Sequence, residues 1–161
     1  MEIERKYRIT EPELPFSIEA YPVRHIEQGY LCTEPVVRIR RDNDDYFLTY
    51  KSKGLMVREE YNLPLDQKAY EHLKPKADGR IISKNRYVIP LQEFVTDSRY
   101  AGLNIELDIF LDDLEGLILA EVEFPDEETA LVFTAPAWFG EDVTFSSQYH
   151  NSTLSKKEIV M

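Results

Sequence analysis

The sequence predicts an α+β protein built on a closed, antiparallel eight-stranded β-barrel with a few helices packed outside it. Three observations predict this class. Eight segments have the alternating or β-rich composition of strands. Short polar breaks, such as Asp42–Asp45 and Lys53–Gly54, separate several of them and indicate tight antiparallel turns. Charged side chains recur at every second position in at least six of the segments, so one face of each strand is charged.

The predicted strands follow one another along most of the chain. They cover residues 2–9, 24–32, 36–41, 45–51, 56–63, 80–90, 104–111 and 117–124. We find no internal repeat, linker or low-complexity tract between them. The length of 161 residues is typical of one domain that buries its own core, so we expect a single domain over residues 1–161.

Three helices are predicted outside the strands. Residues 65–74 have apolar side chains near helical spacing, and Asp66 is placed to cap the N-terminus. Pro125 and the acidic residues after it begin a second helix, because proline and acids favour a first helical turn. A short third helix is predicted from Ser152 to the end. The three prolines of residues 11–23 predict a surface loop.

Composition limits the compartment and the partners. No apolar run approaches the roughly 20 residues that span a bilayer. The N-terminus is charged from Glu2, unlike a secretory signal. Cys32 is the single cysteine, which excludes an internal disulfide and a paired-cysteine metal site. The net charge of −11 argues against nucleic acid or anionic lipid as a partner. We therefore expect a cytoplasmic protein with no membrane and no nucleic-acid partner.

The alternating charges come in pairs of one sign. The acidic pairs are Glu2 with Glu4, Glu106 with Asp108, and Glu121 with Glu123, and the basic pairs are Arg38 with Arg40, Lys51 with Lys53, and Lys84 with Arg86. A solvated face of an open sheet or β-sandwich is the alternative interpretation. Solvated faces usually mix signs, however, because like charges held close together repel. Rows of one sign tolerate each other better when a ligand of opposite sign lies between them.

Closing the sheet would direct these rows into one lumen, since a barrel of about eight strands encloses side chains or one small ligand. Arginine and lysine would bind phosphate oxygens. Carboxylates are oxygen ligands suited to Mg²⁺ or Mn²⁺, and divalent ions allow an acidic pocket to accept an anion. The sequence therefore predicts a site for a polyphosphate chain with one or two divalent ions.

The same segments resemble the CYTH, or triphosphate tunnel metalloenzyme, superfamily. Residues 2–6 (EIERK) match its ExExK signature, and residues 28–31 (QGYL) match its second strand. The later matches, in order, are Arg38-Ile39-Arg40, Lys51, Glu60, Lys84-Asn85-Arg86-Tyr87, residues 106–110 (ELDIF), residues 121–124 (EVEF), Asp142-Val143-Thr144 and Asn151-Ser152. This resemblance covers nearly the whole chain. It implies a closed tunnel of eight antiparallel strands and divalent-metal-dependent hydrolysis of a triphosphate.

The resemblance also implies roles for particular residues. The residues expected to bind the phosphates are Lys6, Arg38, Arg40, Lys51, Lys84 and Arg86. The residues expected to bind metal or position water are Glu2, Glu4, Glu60, Glu106, Asp108, Glu121 and Glu123. The residues expected to be catalytic are Glu2, Glu4, Lys6, Lys84 and Glu123. The histidines His25, His72 and His150 have no ligand spacing and are interpreted as structural or solvated.

Inorganic tripolyphosphate is the substrate that we expect, because the chain is small and no base-binding pocket is marked. A thiamine triphosphatase and a class IV-like adenylate cyclase are alternatives that use the same tunnel. A module that binds polyphosphate without turnover is a third alternative, but it would leave the acidic residues unexplained. The sequence leaves the oligomeric state open, with a homodimer through an outer barrel surface as one alternative.

Overall fold

The structure, a computed structural model, describes residues 1–10 and 13–156. Within these residues, nine strands form one sheet in the order β5-β1-β9-β8-β7-β2-β3-β4-β6, and every neighbouring pair is antiparallel. The strands are β1 (Glu2–Arg8), β2 (Val23–Thr33), β3 (Val36–Asp42), β4 (Asp45–Lys51), β5 (Val57–Arg58), β6 (Glu60–Leu65), β7 (Asp78–Pro90), β8 (Asn104–Phe110) and β9 (Ile118–Glu123).

The predicted number of eight strands is wrong, because the predicted fifth strand is divided in two. Arg58 in β5 pairs with Glu2 in β1, whereas Glu60 in β6 pairs with Lys51 in β4. Glu59 alone separates these two pairings. One extended segment therefore changes partner as it crosses between the two edges of the sheet. This crossing joins the edges, and the sheet becomes a nearly closed antiparallel barrel.

Three short helices accompany the barrel: α1 (Gln67–Leu73), α2 (Glu127–Leu131) and α3 (Asn151–Leu154). The predicted cap of α1 is confirmed, since the Asp66 carboxylate accepts a hydrogen bond from the backbone N–H of Ala69 at 2.7 Å. The Asp126 carboxylate caps α2 in the same way. The predicted third helix extended over residues 157–161, which lie outside the described residues. No helix in the described ranges is long and apolar enough to cross a membrane.

The outward faces of β1, β7, β8 and β9 carry buried apolar side chains, as the alternation predicts. Ile3, Ile105, Leu107 and Val122 are all buried in this outer core. Aromatic side chains from the connecting segments cover them, and these are Phe16, Phe94, Phe124, Phe133, Trp138 and Phe139. Phe16 belongs to the loop predicted over residues 11–23, so the described part of this loop packs onto the barrel instead of only crossing its surface.

The inward side chains near one end of the barrel are also apolar, and we call this cluster the floor. It contains Tyr30, Val36, Ile82, Phe110 and Leu119. The chain after β9 completes it with Val143, Tyr149 and Leu154. Along the same strands, charged inward side chains lie next to the floor residues, and we call them the charged layer. We call the opposite end, where Arg24, Asp42, Glu106 and Glu123 lie, the mouth. The charged layer therefore lies between an apolar floor and a polar mouth.

Candidate active site

A cavity of about 190 Å³ occupies the charged layer, and we call it the lumen cavity. All but two of the predicted site residues line it, and these are Glu2, Glu4, Lys6, Arg38, Arg40, Lys51, Glu60, Arg86, Glu106, Glu121 and Glu123. The register explains the convergence, because Lys6 lies opposite Glu121 across β1 and β9 and Lys51 lies opposite Glu60 across β4 and β6. Charges of both signs therefore meet around one hollow.

Lys84 and Asp108 are the two predicted site residues that do not line the lumen cavity. The Lys84 ammonium lies 2.7 Å from Oδ2 of Asp108, and both side chains are completely buried. Asp108 also accepts hydrogen bonds from Nε and Nη2 of Arg86, at 2.7 and 2.8 Å. Burial alone would raise the pKa of Asp108, but the charges of Arg86 and Lys84 lower it. Both Asp108 oxygens therefore already contact cationic side chains.

Arg86 is held by carboxylates on two further sides. Its Nη1 lies 3.2 Å from Oε2 of Glu106, which also accepts a hydrogen bond from Nη2 of Arg24 at 3.2 Å. Its Nη2 lies 3.7 Å from Oε2 of Glu121. The resulting geometry fixes one conformation of Arg86 in the cavity wall, because the planar guanidinium group meets a carboxylate along each edge.

Lys51 lies where β5 and β6 bring the two edges of the sheet together, a junction that we call the seam. Its ammonium lies 3.0 Å from Oε1 of Glu2 and 3.5 Å from Oε2 of Glu60. Burial raises the pKa of Glu2 to about 7, because the charge of Lys51 offsets only part of the cost of removing this carboxylate from water. The seam is thus joined by an ion-paired group of side chains as well as by the backbone.

Arg38 and Arg40 have no carboxylate partner within the described part of the chain. Nε of Arg40 donates to the Gln28 side-chain carbonyl at 2.8 Å. Nε of Arg38 is buried and has no hydrogen-bond partner. Burial, together with the charges of Arg38 and Arg86, lowers the pKa of Arg40 to about 9. Buried cations of this kind are costly unless an anion neutralises them.

Glu4 and Glu123 are the counterpart of these arginines on the acidic side. They lie directly opposite each other across β1 and β9. Neither carboxylate forms a salt bridge or a hydrogen bond among residues 1–10 and 13–156. Burial raises the pKa of Glu4 to about 8, and the charges of Glu121 and Glu2 add to this effect. Burial also raises the pKa of Glu123. Like charges directly across a strand pair are unfavourable unless a cation lies between them.

These acids fit a divalent ion that is shared with a phosphate. Among the described residues, Oε1 of Glu121 accepts no hydrogen bond, although the Lys6 ammonium lies 3.5 Å from it, and the nearby Glu4 carboxylate is unpaired. Among the described residues, no three acidic or histidine side chains are close enough to hold an ion by themselves. Mg²⁺ typically takes only one or two carboxylates, and waters and substrate phosphates complete its shell. The donor set therefore suits an ion that binds together with its substrate.

Several lining residues were not assigned to the site from the sequence. The chain before and within α3 places His150, Asn151 and Ser152 against the lumen cavity. Asn151 accepts a hydrogen bond from the Lys84 ammonium at 3.2 Å, and the backbone carbonyl of Tyr149 accepts one from Lys6 at 3.1 Å. Burial lowers the pKa of His150 to about 4, and the charge of Lys6 adds to this effect. No strand periodicity marks this segment, so the alternation of charges could not indicate it.

Comparison with known proteins identifies the family. The CYTH domain matches residues 1–158 of this chain. The chain belongs to the CYTH domain family. This CYTH protein is 39% identical over 158 residues to the inorganic triphosphatase of Nitrosomonas europaea, with 96% of each chain covered. It is 37% identical over 134 residues to the inorganic triphosphatase of Acetivibrio thermocellus, which covers 80% of this chain and 78% of that protein.

Solved structures agree with the barrel architecture of the CYTH protein. The crystal structure of an inorganic triphosphatase superposes with a TM-score of 0.68 at 34% identity, covering 99% of this chain and 97% of the other. A Hippeastrum protein, proposed to be an adenylyl cyclase and described as having a dominant triphosphatase activity, superposes with a TM-score of 0.61 at 18% identity. The second match covers 81% of this chain and 83% of the other, and at this identity it supports the fold alone.

Proposed function

We propose that this CYTH protein is a divalent-metal-dependent hydrolase of inorganic tripolyphosphate. The observation that carries the proposal is the pair of unmatched charge sets in one cavity. Among the described residues, Arg38 and Arg40 have no anionic partner and the Glu4 and Glu123 carboxylates have no cationic partner, and all four line the lumen cavity. A triphosphate bound together with a divalent ion neutralises both sets at once. Two relatives named inorganic triphosphatase, at 39% and 37% identity, support the same substrate.

Glu4, Glu121 and Glu123 would hold one or two ions of Mg²⁺ or Mn²⁺. Such an ion supplies a Lewis acid for phosphate oxygens and lowers the pKa of bound water. Glu121 also lies near two cations, 3.5 Å from the Lys6 ammonium and 3.7 Å from Nη2 of Arg86, but its Oε1 accepts no hydrogen bond from the described residues. The four remaining predicted metal ligands are paired with cations. Glu2 and Glu60 contact Lys51, Glu106 contacts Arg24 and Arg86, and Asp108 contacts Lys84 and Arg86. We infer that these four acids chiefly hold the cations in place.

The cations of the wall would bind and orient the triphosphate chain. Arg38 and Arg40 present guanidinium groups suited to paired phosphate oxygens, and Lys6, Lys51 and Arg86 add positive charge to the wall. Attack of water on a terminal phosphoryl group places charge on its peripheral oxygens, so fixed cations around these oxygens stabilise the transition state. The burial of these cations strengthens this stabilisation, because charges interact more strongly in the lower dielectric of a protein interior than in water.

A substrate panel tests this proposal against its alternatives. The protein is incubated with tripolyphosphate, ATP or thiamine triphosphate, in Mg²⁺ or Mn²⁺ and in chelator. We expect equal amounts of phosphate and pyrophosphate from tripolyphosphate, only with metal present. Formation of cyclic AMP and pyrophosphate from ATP would indicate a cyclase, and preferential cleavage of thiamine triphosphate would indicate a thiamine triphosphatase. Tight binding of tripolyphosphate with metal but without phosphate release would contradict a hydrolase.

A further inference from the structure

A second cavity of about 220 Å³ adjoins the lumen cavity on its mouth side. Arg38, Arg40 and Glu60 line both cavities. Arg24 and Asp42 line the second cavity but not the lumen cavity, and we call this second cavity the mouth cavity. A ligand that is held at Arg38 and Arg40 therefore lies beside both cavities.

The strand register places three arginines around the mouth cavity. Arg40 in β3 lies opposite Gln28 in β2, and Arg24 is four residues nearer the start of β2. Arg38 lies two residues before Arg40 on the same face of β3. The three guanidinium groups therefore come from two paired strands and border the same hollow.

Two of these arginines carry buried N–H donors without an acceptor. Nε of Arg24 and Nε of Arg38 have no hydrogen-bond partner within the described ranges. Arg38 is only 4% exposed. The Asp42 carboxylate lies 3.6 Å from Nε of Arg24, which is too long for a hydrogen bond. A buried charged donor without an acceptor is unfavourable. Carboxylates line both cavities, but among the described residues none lies within hydrogen-bond distance of these two Nε donors.

We propose that the mouth cavity is a further phosphoryl subsite, which admits linear inorganic polyphosphates of four or more phosphoryl groups, with Arg24 as its specificity-determining residue. This inference rests on the proposed function of the lumen cavity. Arg38 and Arg40 bind the part of the chain at the boundary, and Arg24 binds the next phosphoryl group toward the mouth. Guanidinium groups suit this role because they donate two parallel hydrogen bonds to phosphate oxygens.

Asp42 sets how strongly this subsite attracts an anion. Its carboxylate lies near Arg24 and lines the same cavity. Its negative charge therefore opposes a further phosphoryl group, while the positive charge of Arg24 favours one. Removing the charge of Asp42 should strengthen the subsite, whereas removing the charge of Arg24 should weaken it. Two substitutions with opposite expected signs thus test the same cavity.

The experiment compares kcat/KM for tripolyphosphate and for linear tetrapolyphosphate in Mg²⁺. We expect the unmodified protein to cleave both substrates. Arg24→Gln should lower kcat/KM for tetrapolyphosphate about tenfold to a hundredfold, as for loss of a hydrogen bond to a charged group, and should lower it less than about threefold for tripolyphosphate. Arg24→Lys should retain most of the tetrapolyphosphate activity. Asp42→Asn should raise kcat/KM for tetrapolyphosphate relative to tripolyphosphate.

The outcomes separate this inference from the proposed function. Retained tripolyphosphate activity shows that each variant is folded. If Arg24→Gln lowers both activities equally, Arg24 acts only by holding Glu106, and the subsite is overturned. Unchanged activity on both substrates overturns it as well. An unmodified protein that cleaves tripolyphosphate but not tetrapolyphosphate contradicts the subsite alone. An unmodified protein that cleaves neither contradicts the proposed function.

Discussion

Glu4 and Glu123 lie directly opposite each other on β1 and β9, and no cation of the described chain pairs with either carboxylate. The arrangement is unfavourable for the protein alone, because two acids, the half-buried Glu4 and the exposed Glu123, face each other across a strand pair. It becomes favourable when a divalent ion lies between them. Removing the divalent ion and replacing either carboxylate should therefore have the same effect on hydrolysis.

Glu4→Gln and Glu123→Gln should each lower metal-dependent hydrolysis of tripolyphosphate by at least about a hundredfold and raise the Mg²⁺ concentration needed for half-maximal rate. If both residues hold one ion, the double variant should be little worse than either single variant. Rates measured across a Mg²⁺ titration check this. Glu128→Gln, at an exposed position on α2, is the matched control. Full activity with an unchanged Mg²⁺ requirement in both single variants would contradict the assignment.

Arg38 and Arg40 should contribute directly to transition-state stabilisation, because no carboxylate of the described residues neutralises them. Arg38→Ala or Arg40→Ala should lower kcat for tripolyphosphate by about a hundredfold to a thousandfold. Arg41→Ala is the control on the same strand, since Arg41 is exposed and lies near Asp44, 3.8 Å away. Equal losses in all three variants would indicate a general electrostatic effect and would contradict specific phosphate binding.

The alternation of charges predicted much of this site because it is a local property of extended chain. Glu4, Lys6 and Glu121 reach the lumen cavity because side chains two residues apart share a face. The same rule placed Lys84 and Asp108 on the correct face of their strands, but it could not give their depth. Depth depends on strand tilt and on the register shifts of β2 against its neighbours, which no single strand reveals.

Other features required long-range information. The change of partner at Glu59 depends on where the two edges of the sheet meet, so residues 56–63 read as one strand from the sequence. Arg24 shares its face with Ile26 and Gln28, so no pair of like charges marked it. His150 reaches the cavity from outside the sheet, on a segment without strand alternation. Tertiary structure alone brings Arg24 to the mouth and His150 to the lumen cavity.

The stability of the charged layer should depend on Asp108. Removing its charge leaves Lys84 and Arg86 buried without their closest anion, so Asp108→Ala should lower the free energy of unfolding by about 3–5 kcal/mol. Urea denaturation followed by circular dichroism measures this. Asp44→Ala, at a side chain that is 99% exposed, should change the same free energy by less than about 0.5 kcal/mol. A similar small change for Asp108→Ala would contradict the role of Asp108 as an anchor of both cations.

Gly79 should be required for docking of the chain around α3. Its φ angle is +68°, and an added Cβ would lie 2.1 Å from the backbone carbonyl oxygen of Ser155. Gly102 has a similar φ of +77° with open space around it. Gly102→Ala should therefore lower the free energy of unfolding only by the cost of holding alanine in the left-handed conformation, about 1–2 kcal/mol. Gly79→Ala should lower the free energy of unfolding by more than this. It should also lower activity, because it displaces the segment that holds His150 and Asn151.

Thermal and urea unfolding of both glycine variants, together with their tripolyphosphate activity, check this prediction. The informative quantity is the difference between the two variants, since the conformational cost is common to both. Equal stability and equal activity of the two variants would show that the contact between Gly79 and Ser155 does not position the segment.

The most direct test of the central claim is a crystal structure with tripolyphosphate and Mn²⁺, using a slowly hydrolysing variant such as Arg40→Ala and locating the ion by its anomalous scattering. The proposed function predicts phosphate oxygens inside the barrel beside Arg38 and Arg86, with the Mn²⁺ peak next to Glu4 and Glu123. A triphosphate bound on the outer surface of the barrel, or a manganese peak remote from both carboxylates, would contradict it.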